Sequence, residues 1–286
     1  MPESRPASAC SGRGKGKKDI YMIRLIVSDI DGTMVPDSSD YIDPQYYDAV
    51  RALKEKGIFF CACSGRQFHS MQQLLQPVAD DIYFITENGT LVRTKNEVLH
   101  RWSIDPADYI PLLEDIRSIE GACAVVSYPE VTYVDSGEDS SVFRLLRDNY
   151  RYAIKNVPDL AALPHEDIQK VTIYCENCEA VCADFLKSHW SRDLKAASSG
   201  SLWIDLCPPD AGKGSALVWL QEYLGIKKEE TMYFGDNMND LPAFDAAGIA
   251  VTVENARPEV KEHADLIVGS YSDLGVLREL KRIIHS

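Results

Sequence analysis

Ile23-Arg24-Leu25-Ile26-Val27-Ser28-Asp29-Ile30-Asp31-Gly32-Thr33 joins a largely apolar, β-branched run to two acids and a glycine. Residues 23–27 read as a buried strand. Both carboxylates then sit just past its C-terminal end, the edge of an open α/β sheet where ligands bind. On extended chain, residues two apart point the same way, so Asp29 and Asp31 can face one site. Gly32 permits a sharp turn behind them. Two carboxylates this close repel, and either a divalent cation or a proton held on one of them must offset that. Both solutions lead to chemistry on an anionic substrate. A plain polar strand end with an Asx-type turn at Asp31-Gly32 is the simpler alternative. It is disfavoured because three other stretches support the same site.

Composition sets the frame. The 286 residues leave room for one large domain or two modest ones of ~100–200 residues each. A hydrophobic content of 45% with 26% charged residues is ordinary for a chain with a sizeable core. The formal net charge of −14 disfavours nucleic acid and anionic membrane surfaces as partners. An anionic substrate therefore needs a local positive site. No apolar run approaches the ~20 residues of a membrane span, and no secretory h-region is present. The eight cysteines are scattered, which fits reduced thiols and a cytoplasmic setting.

Residues 1–21 are rich in Ser, Gly, Arg and Lys, and a disordered tail is expected there. Asp43-Pro44 reads as a helix start, with Tyr46, Ala49, Val50 and Leu53 at helical spacing and Gly57 as the stop. Residues 58–63 form a second continuous apolar strand, followed by Ser64-Gly65-Arg66. Strand, helix and strand make a βαβ unit with a parallel pair. A third strand over 82–85 ends in Thr86-Glu87-Asn88-Gly89. From 89 to 207 the texture changes. A hairpin over 90–93 and 97–102, a helix from Asp105-Pro106 and helices near 139–150 and 178–189 are expected. Strands near 122–127, 131–134, 168–175, 193–198 and 202–206 suggest an antiparallel sheet with one covered face. The α/β texture returns with Gly212-Lys213-Gly214, a helix, a strand over 231–234 and the loop Gly235-Asp236-Asn237-Met238-Asn239-Asp240. Two short strands over 249–253 and 265–268 and a last helix after Ser272 complete it. The expected fold is α/β: a Rossmann-like parallel-sheet core, 22–88 with 208–286, and an inserted α+β cap over 89–207.

Four polar stretches at strand ends can thus converge: Asp29 with Asp31, Ser64, Lys213, and Asp236 with Asn239 and Asp240. Their chemistry suits phosphoryl transfer. An aspartate can attack phosphorus and form an aspartyl-phosphate. A second acid can protonate the leaving oxygen and then activate water. A hydroxyl and an ammonium can hold phosphoryl oxygens. Carboxylates from separate loops can gather Mg²⁺, which prefers oxygen ligands.

The four stretches, D-I-D-G-T, C-S-G-R, G-K-G-S-A-L and G-D-N-M-N-D, resemble the motifs of the haloacid dehalogenase-like phosphatases. Their order, with a large insert between the second and third, is similar to the Cof-type branch with its class IIB cap. The resemblance spans residues 22–286. It implies Asp29 as nucleophile and metal ligand, and Asp31 as general acid and base with its backbone carbonyl on Mg²⁺. It implies Ser64 on a phosphoryl oxygen, Lys213 neutralising nucleophile and phosphoryl group, and Asp236 completing the metal site. Backbone groups at Ile30 and Asp31, with Gly32, Thr33, Gly65, Arg66 and Asn239, form the expected substrate-binding set. Asn237 and Asp240 are expected in support, and Thr33 is expected to hydrogen-bond Asp31. The implied partner is a small phosphorylated metabolite, sugar phosphates first, with no nucleic acid or membrane partner and a monomer or dimer as the assembly.

Two departures stand out. Val253-Glu254-Asn255-Ala256 replaces the family's M-G-N-A, and residues 270–276 replace N-x-x-D-G-V. Two other readings remain open: a phosphomutase using the same nucleophile, and a non-catalytic phosphometabolite-binding protein. Cys175, Cys178 and Cys182 have a zinc-like spacing but lack a fourth ligand, so packing is the expectation. The fragment around Lys213 lacks the first glycine and the Ser/Thr of a P-loop. The six histidines show no metal spacing. Tyr128, Tyr133, Trp102 and Trp203 are aromatic candidates for either the cap core or a substrate wall.

Overall fold

The computed structural model describes residues 23–175, 190–198 and 202–286. The expected tail, the helix near 178–189, and Cys178 and Cys182 lie outside them. Among the described residues, two sheets organise the chain. The core sheet contains β1 (Leu25–Asp29), β2 (Phe59–Cys63), β3 (Tyr83–Thr86), β4 (Leu91–Arg93) and β5 (Val98–Arg101). The second contains β6 (Cys123–Ser127), β7 (Thr132–Val134), β8 (Ile154–Asn156), β9 (Lys170–Tyr174), β10 (Lys195–Ser198) and β11 (Trp203–Cys207). The chain then returns to the core sheet with β12 (Thr231–Gly235), β13 (Ile249–Val253) and β14 (Leu266–Val268).

The core order is β14-β13-β12-β1-β2-β3-β4-β5. It is parallel from β14 to β3 and antiparallel over the last two strands. Helices cover both faces, as parallel strands require. On one side, α1 (Gln45–Glu55) buries Tyr46, Ala49, Val50 and Leu53 beside Ile26, Phe60 and Phe84. Its start is fixed by Asp43, whose Oδ1 accepts the Gln45 N–H at 2.9 Å. On the other side, α2 (Lys213–Leu224) packs Ala216, Leu217 and Leu220 against Leu25, Val27 and Tyr233. Gly225, in left-handed conformation, closes it. Leu25, Ile26 and Val27 are fully buried, each contributing about 1.5–3 kcal/mol. That burial anchors the strand that carries Asp29.

The core was expected to give way to the cap after residue 88. Instead the β4–β5 hairpin lengthens the core sheet. The chain reverses directly at Asn88-Gly89, so β4 pairs with β3 before any residue can leave for the second sheet. Departure follows Trp102, whose N–H bonds Thr90 O at 2.9 Å.

The second sheet has the order β10-β11-β9-β6-β7-β8 and is antiparallel except between β7 and β8. Alternate residues Ala124, Val126, Val171, Ile173, Ile204 and Leu206 form an apolar core with Tyr109, Leu112 and Leu113, which belong to a helix over Pro106–Arg117. The opposite face was expected to meet solvent. It is buried as well. Ser127, Lys170, Thr172 and Asp205 all point from it into the cleft between the two sheets.

Candidate active site

The core strands end around a cleft of about 1730 Å³, roofed by the second sheet. At its floor Asp29, only 4% exposed, ends β1. Lys213, the first residue of α2, places Nζ 2.9 Å from Asp29 Oδ1 and 2.7 Å from Asp240 Oδ1. Burial pushes the Asp29 carboxyl well above the usual carboxylate range, against the pull of Lys213. Burial also works against the Lys213 charge, but Asp240 and Asp29 outweigh it and hold the ammonium well above the usual lysine range. The lysine is therefore a fixed cation beside the acid.

Asp240 is wholly committed. Its Oδ1 also accepts Tyr233 OH at 2.8 Å, and its Oδ2 accepts the N–H groups of Asp236 and Asn237, both at 3.0 Å. It thereby shapes the loop after β12 and presents Asp236. Asn237 caps the following turn, its Oδ1 accepting the Met238 N–H at 2.8 Å. Thr33 donates to Asp236 Oδ1 at 2.8 Å, not to Asp31 as expected. The turn at Gly32 aims its hydroxyl across to the β12 loop. Asp236 is pushed up to about 6, chiefly by burial, with the Thr33 hydrogen bond pulling the other way.

Oxygens of Asp29, Asp236 and Asp240 lie within 4.8 Å of one another. Because Asp240 is filled, Asp29 and Asp236 are the carboxylates left to hold a cation. Burial raises the pKa of both, and a cation held between them would offset that cost. This donor set fits a hard, oxygen-loving divalent ion.

Asp31 is held differently. Arg66 grips it with a two-pronged pair, Nε to Oδ2 at 2.8 Å and Nη2 to Oδ1 at 2.5 Å. The Ser38 N–H adds a bond at 2.9 Å and Ser64 Oγ one at 3.3 Å. Ser64 Oγ in turn accepts the Arg66 N–H at 3.1 Å. Gly65 and Asn239 complete this side of the cleft. Ile30 and Thr33 are buried behind it, Ile30 O accepting the Met34 N–H at 2.9 Å. The expected residues thus gather at one place, with Ile30, Thr33 and Asp240 as its backing.

The altered loop after β13 is accommodated. Asn255 donates to Gly32 O at 2.6 Å and accepts the Tyr271 N–H at 3.2 Å, so it clamps the first loop. Glu254 is exposed. Trp203 and Trp102 line the cleft. Tyr128 and Tyr133 meet edge to face, 5.4 Å apart, beside the apolar core of the second sheet.

Sequence reasoning missed the roof. Lys170 Nζ lies 2.7 Å from Glu87 Oε2 and 3.4 Å from Asp205 Oδ1. Thr172 donates to Asp205 Oδ1 at 2.7 Å. Asn88 donates to Asp205 Oδ2 at 3.4 Å and accepts from Asn239 at 3.1 Å. Burial raises the Glu87 carboxyl despite Lys170, while Asp205 and Glu87 overcome burial to raise Lys170. One signal was available: 86–89 ends a core strand on the same edge as the other motifs.

The family model for haloacid dehalogenase-like hydrolases matches residues 26–280. The chain belongs to that family. This haloacid dehalogenase-like hydrolase is 29% identical over 267 residues to the phosphoglycolate phosphatase of Staphylothermus marinus, covering 92% of this chain and 98% of that one. A crystal structure from Eubacterium rectale superposes with a TM-score of 0.86 at 35% identity, covering 91% and 99% of the two chains. The subclass IIB sugar phosphatase BT4131 shares the fold, with a TM-score of 0.75 at 21% identity over 91% of this chain and 98% of its own. Among the described residues of this hydrolase, no helix is long and apolar enough to cross a membrane.

Proposed function

We propose that the protein is a Mg²⁺-dependent phosphatase of small phosphomonoesters, sugar phosphates or related metabolites, working through an aspartyl-phosphate on Asp29. The observation that carries this reading is the buried Lys213 set between Asp29 and Asp240, with Asp236 facing the same point. Asp29 and Asp236, with the backbone carbonyl of Asp31, would hold Mg²⁺, which when bound neutralises charge on nucleophile and phosphoryl oxygens. Asp29 Oδ attacks phosphorus and the bond to the leaving oxygen breaks. Asp31 gives that oxygen its proton. Water then attacks phosphorus, Asp31 takes a proton from it, and inorganic phosphate and Asp29 are released.

Ser64, Lys213 and the backbone N–H groups of Ile30 and Asp31 hold the phosphoryl oxygens, with Gly32 and Gly65 allowing close approach and Asn239 orienting the group. Arg66 occupies both oxygens of Asp31 before substrate enters. In this reading it exchanges onto the anionic phosphoryl group and frees the acid. The family relatives are named phosphatases, which supports a small phosphorylated metabolite as substrate, and Cys61, Cys63, Cys123 and Cys207 are free thiols, which supports a cytoplasmic setting. The whole arrangement must lower the barrier by on the order of 20 kcal/mol.

The test is phosphate release from p-nitrophenyl phosphate and a sugar phosphate panel with Mg²⁺, with chelator, and with Asp29→Asn. Metal-dependent release that disappears in the variant is expected. Release that survives Asp29→Asn would refute the nucleophile. Isomer formation without free phosphate would make the protein a mutase. No turnover of any compound would favour a binding protein.

A further inference from the structure

The turn after β3 is unusual in its backbone. Glu87 has φ 50° and Asn88 φ 58°, ψ 26°, and Gly89 continues with φ 96°. Left-handed backbone suits glycine and is tolerated by asparagine, but for a long side chain such as glutamate it is unfavourable. Strain of this kind gathers where the position of a side chain matters. Here the turn is pinned from below, Glu87 N–H to Arg66 O at 3.0 Å and Asn88 N–H to Ser64 O at 3.1 Å. Its effect is to send two adjacent side chains to different tasks.

Glu87 goes up to the second sheet. Its carboxylate meets Lys170 at 2.7 Å with the two side chains 2% and 4% exposed. Charges this deeply buried persist only when paired, so a core residue and a cap residue depend on each other for theirs. Asn88 goes into the cleft. Its amide lies against Gly65, where a β-carbon would come within 2.9 Å of Asn88 Oδ1. One end of that amide receives Asn239 at 3.1 Å and the other gives to Asp205 of the cap at 3.4 Å. Asp205 is itself braced by Thr172 and Lys170. The contacts run unbroken from the cap sheet to the loop that presents Asp236.

We propose that the Glu87–Asn88 turn is the seat on which the cap docks, and that Asn88 is a positioning residue that couples this docking to the orientation of Asn239 at the reacting end of the cleft. The inference rests on the phosphatase reading for what Asn239 orients. With the cap seated, Asp205 fixes which way the Asn88 amide faces, and its oxygen is turned to Asn239. With the cap lifted, the amide loses Asp205, and Asn239 loses a defined partner. Catalysis is then tuned to the closed state without the cap touching the phosphoryl group.

The experiment uses the full chain with Mg²⁺. Asn88→Asp keeps shape but sets a carboxylate oxygen against Asp205. Asp205→Asn on the same background restores a donor–acceptor pair in reverse. Neighbours this close couple strongly, so Asn88→Asp should lower kcat on p-nitrophenyl phosphate by about tenfold with KM little changed. The double variant should recover most of that. Asn88→Gly, which keeps the backbone at ease, should show the same kcat loss with an unchanged melting midpoint. Small-angle scattering should show a larger radius of gyration for Asn88→Asp and a return in the double variant, with no turnover required.

Asn88→Asp and the double variant equally impaired, or kcat untouched in Asn88→Asp and Asn88→Gly, would overturn the coupling. Unchanged scattering in Asn88→Asp would overturn the seat. A wild-type protein that releases no phosphate would instead refute the phosphatase reading, while scattering still decides the seat.

Discussion

Replacing Gly32 by alanine should cripple the proposed metal site without replacing any of its residues. Gly32 has φ 76°, and a β-carbon on it would stand 2.4 Å from Asp236 Oδ2 and 2.8 Å from Asp236 Cγ. Ordinary carbon contacts need about 3.5 Å, so Asp236 must retreat by roughly 1 Å or the turn must open. Neither is easy. Asp236 is tethered by Thr33 at 2.8 Å, and the turn is clamped by Asn255 at 2.6 Å. The left-handed backbone costs an alanine about 1–2 kcal/mol, and overpacking adds about 1–3 kcal/mol. A displacement of about 1 Å in a reacting group costs on the order of 100-fold in rate, and disturbed support of a ligand costs about 10–100-fold in metal affinity. Phosphate release measured against Mg²⁺ concentration should therefore show a half-saturating Mg²⁺ raised by at least about tenfold, with a lower melting midpoint. An unchanged Mg²⁺ dependence would mean that Asp236 is not held where this geometry puts it, and the reasoning fails.

Other perturbations test the surrounding structure. Lys170→Met leaves Glu87 and Asp205 buried without their cation and should destabilise the protein by about 3–5 kcal/mol in urea unfolding; adding Glu87→Gln should return part of that, and no return would argue against their pairing. Gly89→Ala would bring a β-carbon to 2.2 Å from Gly212 C at φ 96°, so low yield or a clearly lowered melting midpoint is expected, whereas wild-type stability would show that the two backbones are not in contact. His100 stacks on Trp219 at 4.8 Å and meets Trp102 edge-on at 4.3 Å, and partial burial lowers its pKa below 6.5. The unfolded chain then binds more protons near that pH, so this contribution to stability is present above it and is lost as pH falls. NMR titration should place the ring below 6.5, and His100→Phe should flatten the corresponding part of a melting-versus-pH series; a ring that titrates above its ordinary value would contradict the stack.

The core could be read from sequence because strands buried on both faces leave continuous apolar runs, as at 58–63, and each run ends in its own polar loop. Asp29, Asp31, Ser64, Lys213 and Asp236 follow from that position together with their chemistry. The second sheet was harder. In β9 the alternation of Lys170 and Thr172 with Val171 and Ile173 is what a solvent-facing strand also shows, and periodicity cannot tell water from the polar lining of a cleft. Glu87 and Asn88 escaped for a different reason. Their importance arises from a left-handed turn and from partners at 170 and 205, far away in sequence. Thr33 was assigned to its chain neighbour because local pairing is the easiest to imagine, while the turn sends it across to Asp236. The hairpin over 91–101 has the texture of an antiparallel insert, and only its pairing with β3 reveals that it belongs to the core.

The contact of Gly89 with the backbone at Gly212 and Lys213 has a topological consequence. Trp102, where the chain leaves for the second sheet, is bonded to Thr90, next door to Gly89, and the chain comes back at Gly212. The outgoing and incoming ends of the insert are therefore side by side, and the core sheet runs from β14 to β5 without a strand from the insert. The roof behaves as a cassette plugged into a single socket. Joining two adjacent ends would exchange it for another of different lining, provided the new one again meets Glu87 and Asn88 on the core.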